Sequence, residues 1–100
     1  MREAPVLKRI QAEFKDKDLQ VVAVNLFRHV SLETWEDYWR GVGGGDVLYA
    51  SDDKRQAILA FNVRTPGATV VVNRNGEVVF QDGYATTYKT LLQAVLKALI

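Results

Sequence analysis

Phe61–Gly83, FNVRTPGATVVVNRNGEVVFQDG, is the stretch on which the reading of the fold turns. It runs as a proline loop, a β-branched strand, a turn, a returning strand and a closing glycine. Thr69–Val72 (TVVV) is apolar and β-branched, the composition of a strand covered on both faces. Asn73-Arg74-Asn75-Gly76 supplies residues that tolerate positive φ, so the chain reverses there and Glu77–Gln81 returns as the partner strand. The spacing therefore predicts a hairpin.

Outward from that hairpin, the last segment has the best helical periodicity in the chain. Tyr88, Leu91, Leu92, Val95, Leu96 and Leu99 share one stripe, and Thr86 or Thr87 stands where a helix would begin. On the N-terminal side, Arg2–Lys15 reads as an amphipathic helix with Leu7, Ile10 and Phe14 inward and Pro5 in its first turn. Leu19–Phe27 (LQVVAVNLF) is nearly continuous apolar sequence, which suits a parallel strand flanked by helices. Ser31 is placed to cap a helix whose inward face is Leu32, Trp35, Tyr38 and Trp39. Gly41–Gly45 ends it. Asp46–Ala50 is a short extended segment, and Asp52 or Asp53 can cap a helix carrying Ala57, Ile58 and Phe61. Alternating helices and strands that finish in a hairpin and a helix point to an α/β sandwich with a mixed sheet.

Composition narrows the chemistry. One hundred residues, 48% of them hydrophobic, make a single domain over 1–100 with one core. Thirteen basic and twelve acidic residues are interspersed and leave a net charge of +1, which argues against nucleic-acid or polybasic membrane surfaces. No apolar run approaches a membrane span and no signal-peptide pattern opens the chain, so the expected compartment, as written, is the cytoplasm. Cysteine is absent, which removes any disulfide, thiolate nucleophile or Cys-ligated metal; a single histidine removes a multi-histidine site. No cofactor and no metal is expected.

The order of these segments resembles the thioredoxin-like redoxins related to cytochrome-maturation thiol–disulfide oxidoreductases. Arg2-Glu3-Ala4-Pro5 is similar to the residues that follow the redox pair in C-x-x-C-[RK]-x-E-x-P. LQVVAVNLF is similar to the next parallel strand, DVLYASDDKRQAILAFNVRTP to the approach to the proline loop, and VVVNRNGEVVFQDG to the last hairpin. The resemblance spans essentially the whole chain and implies a three-layer thioredoxin-like sandwich truncated at its N-terminus. Aligned in this way, Met1 falls just after the second cysteine position. The C-x-x-C and the central strand feeding it would lie upstream of this sequence, and in the family that strand lies in the sheet between the strands matching Leu19–Phe27 and Thr69–Val72.

A missing middle strand leaves two apolar edges without partners, and such edges template association. Three outcomes follow: a fragment or mis-started frame of a longer redoxin, which could be exported; direct closure of the two strands; or a dimer in which a second copy completes the sheet or core. Association is the outcome favoured. The resemblance implies that this chain descends from a thiol–disulfide oxidoreductase and is itself inactive in dithiol exchange. The alternative is a redox-inactive association module, acting as a homo-oligomer or binding an extended peptide or protein.

The resemblance also implies where a substrate would lie. Arg64, Thr65 and Pro66 would form the surface that binds an extended chain beside a cis-proline; in structural terms alone they join helix to strand. Gly67 lengthens the spacing from Pro66 to the turn, a departure from the family that bears on the cis bond. Glu3 matches a family glutamate near the redox pair, but with no thiol to serve it reads as a favourable charge at a helix start. His29 has no evident catalytic partner. Gly41-Val42-Gly43-Gly44-Gly45 lies between helix and strand, the reverse of a nucleotide-binding order, and reads as a flexible connection. Trp35, Tyr38 and Trp39 read as core before they read as a binding surface. Asp46, Asp52 and Asp53 are too few for a calcium site.

Overall fold

The computed structural model describes residues 3–45, 47–64, 67–83 and 86–99. The chain runs α1 (Glu3–Glu13), β1 (Val22–Asn25), α2 (Leu32–Gly41), β2 (Leu48–Ser51), α3 (Gln56–Ala60), β3 (Thr69–Val72), β4 (Val78–Asp82) and α4 (Tyr88–Ala98). The element order is the one the sequence predicts. Ends differ by a few residues, most at β1, where only the middle of LQVVAVNLF is laddered.

Parallel and antiparallel pairings both occur, as a mixed arrangement requires, but in two separate ladders rather than one continuous sheet. β1 pairs with β2 in parallel, Val22 opposite Leu48 and Asn25 opposite Ser51. β3 pairs with β4 antiparallel, Thr69 opposite Asp82 and Val71 opposite Phe80, with an irregularity between Val71 and Val72. Nothing in the described chain lies hydrogen-bonded between β1 and β3.

Local chemistry explains the element boundaries. Ser31 Oγ accepts from the Thr34 backbone N–H at 3.1 Å and caps α2; Thr87 Oγ1 does the same for α4 through Thr90, at 3.3 Å. Asp52 accepts from the backbone N–H groups of Ala57 and Ile58 at 2.9 and 3.0 Å, so it serves α3 although Arg55, in the left-handed region, is its first flanking residue. At the hairpin tip Asn73 Oδ1 accepts from the backbone of both Asn75 and Glu77 at 3.0 Å. Of the four turn residues only Gly76 takes a positive φ, 81°.

The core is drawn from every layer: Ile10 and Phe14 of the first helical segment, Val21 and Ala23, Trp35 and Trp39, Val71, and Leu91 and Val95 are buried. α1 packs on α4, α4 lies on β3 and β4, and α2 covers β2. Three inward expectations fail. Leu32, Tyr38 and Leu96 lie at the margins of their helical stripes and are 39%, 47% and 48% exposed, while Ala94 takes a buried place on α4. Val72, read as covered on both faces, is 44% exposed: burial alternates along β3, with Thr69 and Val71 turned inward and Val72 on the opposite face.

Candidate functional site

The most distinctive feature is a groove of about 440 Å³ whose walls are β1 and β3. Val21–Val24 line one side and Thr69–Val72 the other, whereas no residue of β2 or β4 reaches it. Its floor and flanks come from Ile10, Trp35, Trp39 and Leu91. Among the described residues that line it none is charged; Gln20 and Thr69 are the polar ones. Such a lining makes no electrostatic claim on a ligand and favours apolar contact.

Backbone geometry gives the β1 wall a hydrogen-bonding edge. The Val21 carbonyl accepts from Leu48 N–H at 3.2 Å and the Asn25 carbonyl from Asp52 N–H at 2.9 Å, so this alternate set points to β2. Neighbouring residues of a strand point their backbone groups to opposite edges. Val22 and Val24 therefore turn theirs away from β2, toward the groove. β3 likewise has β4 along one edge only.

Two polar atoms beside this space are buried without a hydrogen-bond partner: Trp39 Nε1 and Thr69 Oγ1. Trp35 differs, since its Nε1 donates to the Ala23 carbonyl at 3.2 Å and ties α2 to β1. The two indoles are tilted at 5.5 Å between ring centroids. Gly44 makes the packing of Trp39 possible. A Cβ there would stand 1.9 Å from Trp39 Cδ1, so the glycine segment is a fitted surface against the indole and not merely a flexible connection.

Asn25 closes the end of β1. It is 2% exposed, its Nδ2 donates to the Val30 carbonyl at 2.7 Å, and its Oδ1 accepts from Phe27 N–H at 3.0 Å. Both halves of the amide are used, so it fixes the loop and is not available as a ligand.

The residues singled out from sequence are scattered. Arg64 is exposed in the segment after α3. Thr65 and Pro66, with the geometry of the bond between them, lie outside the described residues, as does Asp46. Glu3 opens α1, and its side chain is likewise outside what is described. His29 is exposed, its ring edge-on to Phe27 at 6.4 Å. Asp52 is committed to α3, and the backbone N–H of Ala57 first, with that of Ile58, holds its carboxyl below the usual value. Among the described residues no group of His, Cys, Asp and Glu could hold a metal ion, and no helix is long and apolar enough to cross a membrane.

Sequence reasoning anticipated that the strands now seen as β1 and β3 would lack a common neighbour. It missed the orphaned Trp39 and Thr69 atoms, which depend on packing rather than pattern. It also missed a surface clamp, where Tyr88 Oη donates to both Glu13 oxygens at 2.7 Å beneath the Arg9 guanidinium, 3.7 Å from the ring centroid.

No protein-family model and no curated protein matches the chain. Its structure is similar to the crystal structure of a Chlorobium tepidum protein assigned as the thiol:disulfide interchange protein DsbE, with a TM-score of 0.79 and 26% sequence identity. The match covers 99% of this chain and 70% of that one, so the neighbour carries substantial chain that has no counterpart here. Helices, parallel pair and antiparallel hairpin together make this a thioredoxin-like α/β fold, truncated relative to that neighbour and without a cysteine.

Proposed function

We propose that the chain is a thioredoxin-like module derived from a thiol–disulfide oxidoreductase and itself silent in dithiol exchange. The observation that carries this reading is a fold shared with a DsbE protein on a sequence that contains no cysteine. Thiol–disulfide exchange requires a thiolate to attack a disulfide sulfur and a second thiol to resolve the mixed disulfide. Neither sulfur is present. Arg64, with Thr65 and Pro66, keeps the proposed role of a surface for an extended chain. Insulin reduction in the presence of dithiothreitol should proceed at the background rate, and robust turnover would overturn the reading. A fusion that places an apolar strand and a Cys-x-x-Cys pair immediately ahead of Met1 should acquire turnover. A fusion that folds yet remains inactive would count equally against it.

The groove favours a second reading of the same module, that it works by association. Two strand edges and an apolar lining support completion by another polypeptide, either a second copy or an extended peptide.

A further inference from the structure

We infer that Asn75, at the tip of the β3–β4 hairpin, is a site of spontaneous covalent modification. It loses its side-chain amide to attack by the Gly76 backbone nitrogen, at a rate that Asn73 sets.

Asparagine is among the thermolabile residues, because its amide carbon lies within reach of the next residue's backbone nitrogen. Attack needs a successor that does not crowd that nitrogen and a side chain free to turn. The chain has four asparagines, and one of them meets both conditions. Asn25 is 2% exposed, uses both halves of its amide and precedes Leu26. Asn62 precedes the β-branched Val63, whose N–H donates to the Ile58 carbonyl at 3.0 Å. Asn73 precedes Arg74, and its amide is committed to the turn: Oδ1 accepts from Asn75 and Glu77 N–H, and Nδ2 donates to Glu77 Oε1 at 3.2 Å. Asn75 is exposed, and its side-chain amide is hydrogen-bonded to nothing among the described residues. Its successor is Gly76, which has no Cβ and open space where one would stand.

Water is the co-reactant. The Gly76 nitrogen gives up its proton and bonds to Asn75 Cγ, and the side-chain nitrogen leaves as ammonia, closing a cyclic imide. Water then opens the ring at either carbonyl. Opening at Cγ leaves aspartate; opening at the main-chain carbonyl leaves isoaspartate, whose backbone runs through the side-chain carbons.

Folding restrains the first step. Gly76 N–H donates to the Asn73 carbonyl at 3.1 Å, and Asn75 N–H is held by Asn73 Oδ1 at 3.0 Å, so the nitrogen reaches Cγ only when the turn opens. The product cannot restore that turn. An isoaspartate lengthens the backbone between the N–H groups of residues 75 and 77, so Asn73 Oδ1 no longer accepts from both in this geometry.

The test is incubation of the full chain at neutral and mildly alkaline pH, followed by brief digestion with trypsin. Cleavage after Arg28, Arg64 and Arg74 places the four asparagines in separate fragments. Mass spectrometry should show an amide-to-acid gain confined to the fragment that begins at Asn75, faster at the higher pH. Isomerisation of Asp82 ahead of Gly83 leaves the mass unchanged and cannot mimic it. The intact chain should also accept methyl groups from S-adenosylmethionine through a protein isoaspartate methyltransferase. Asn75→Ser should keep the fold and show no gain. Asn73→Ala should speed the gain roughly three- to tenfold, the factor that one lost hydrogen bond represents, and the difference should vanish in strong urea. If Asn73→Ala does not fold, the parent alone decides, since it should react more slowly folded than in urea by a comparable factor. A gain spread over the asparagines, or one that persists in Asn75→Ser, overturns the assignment. So does a folded chain still unmodified when its unfolded form has fully converted. Equal rates for the parent folded and in urea, or for the parent and a folded Asn73→Ala, overturn the control by Asn73.

Discussion

Gly44 and Trp39 show how much a single position decides. A methyl group at residue 44 would overlap the indole ring, and Trp39 is 4% exposed, hemmed into the core. Gly44→Ala should destabilise the fold by about 1–3 kcal/mol, seen as a lower urea midpoint. Asn25 is the second such position. Asn25→Leu keeps the approximate size but strands the Val30 carbonyl and the Phe27 N–H, and should cost about 2 kcal/mol in the same measurement. Neither role could be read from the chain alone. Gly44 sits in a glycine-rich run that looks like a linker, and Asn25 interrupts an apolar strand where pattern alone assigns it no partner. The identity of Trp35 and Trp39 as core was legible, because residues four apart share a helical face. Tyr38, one position short of that stripe, stays at the margin.

At the scale of elements, α1 and α4 are fastened at the surface by three side chains. The Tyr88 hydroxyl, and after it the Arg9 guanidinium at 2.8 Å, hold the Glu13 carboxyl below its ordinary value of 4.5. The same hydrogen bond to Glu13 raises the Tyr88 phenol above 10.0. A lowered carboxyl contributes stability above its unfolded value and loses it as pH falls through the folded one; a raised phenol contributes below its unfolded value and loses it as pH rises through its folded one. The clamp therefore acts across neutral pH and releases at both extremes. In urea titrations Glu13→Gln should lower the midpoint at pH 7, with the difference from the parent disappearing in acid below the folded carboxyl's titration. A difference that persists unchanged at pH 2 would contradict it. For α2 the cap is simpler. Ser31→Ala removes the acceptor for Thr34 N–H and should cost about 1 kcal/mol. This cap was visible in the sequence as a serine before an aromatic helical stripe. The clamp was not, since it joins residues 75 positions apart.

For the whole molecule, the hairpin, the terminal helix and the alternation before them were all written in periodicity, which is a local property. Division into two ladders is a property of what stands between β1 and β3, and no local pattern reports that; it came only from likeness to a fold with a further strand. The groove also sets a stability expectation. Leu91→Ala deletes a residue 2% exposed from the groove floor and should cost about 2–5 kcal/mol by thermal or urea unfolding. A strand seated in the groove would raise the midpoint of the parent by mass action.

The paired indoles of Trp35 and Trp39 have one more consequence. Their centroids are 5.5 Å apart and both border the groove, so their excited states couple and the pair is a chromophore whose optical activity depends on its tilt of 42°. A polypeptide entering beside them would alter that tilt or its surroundings. The molecule thus carries a label-free optical gauge of whether its central space is empty or filled.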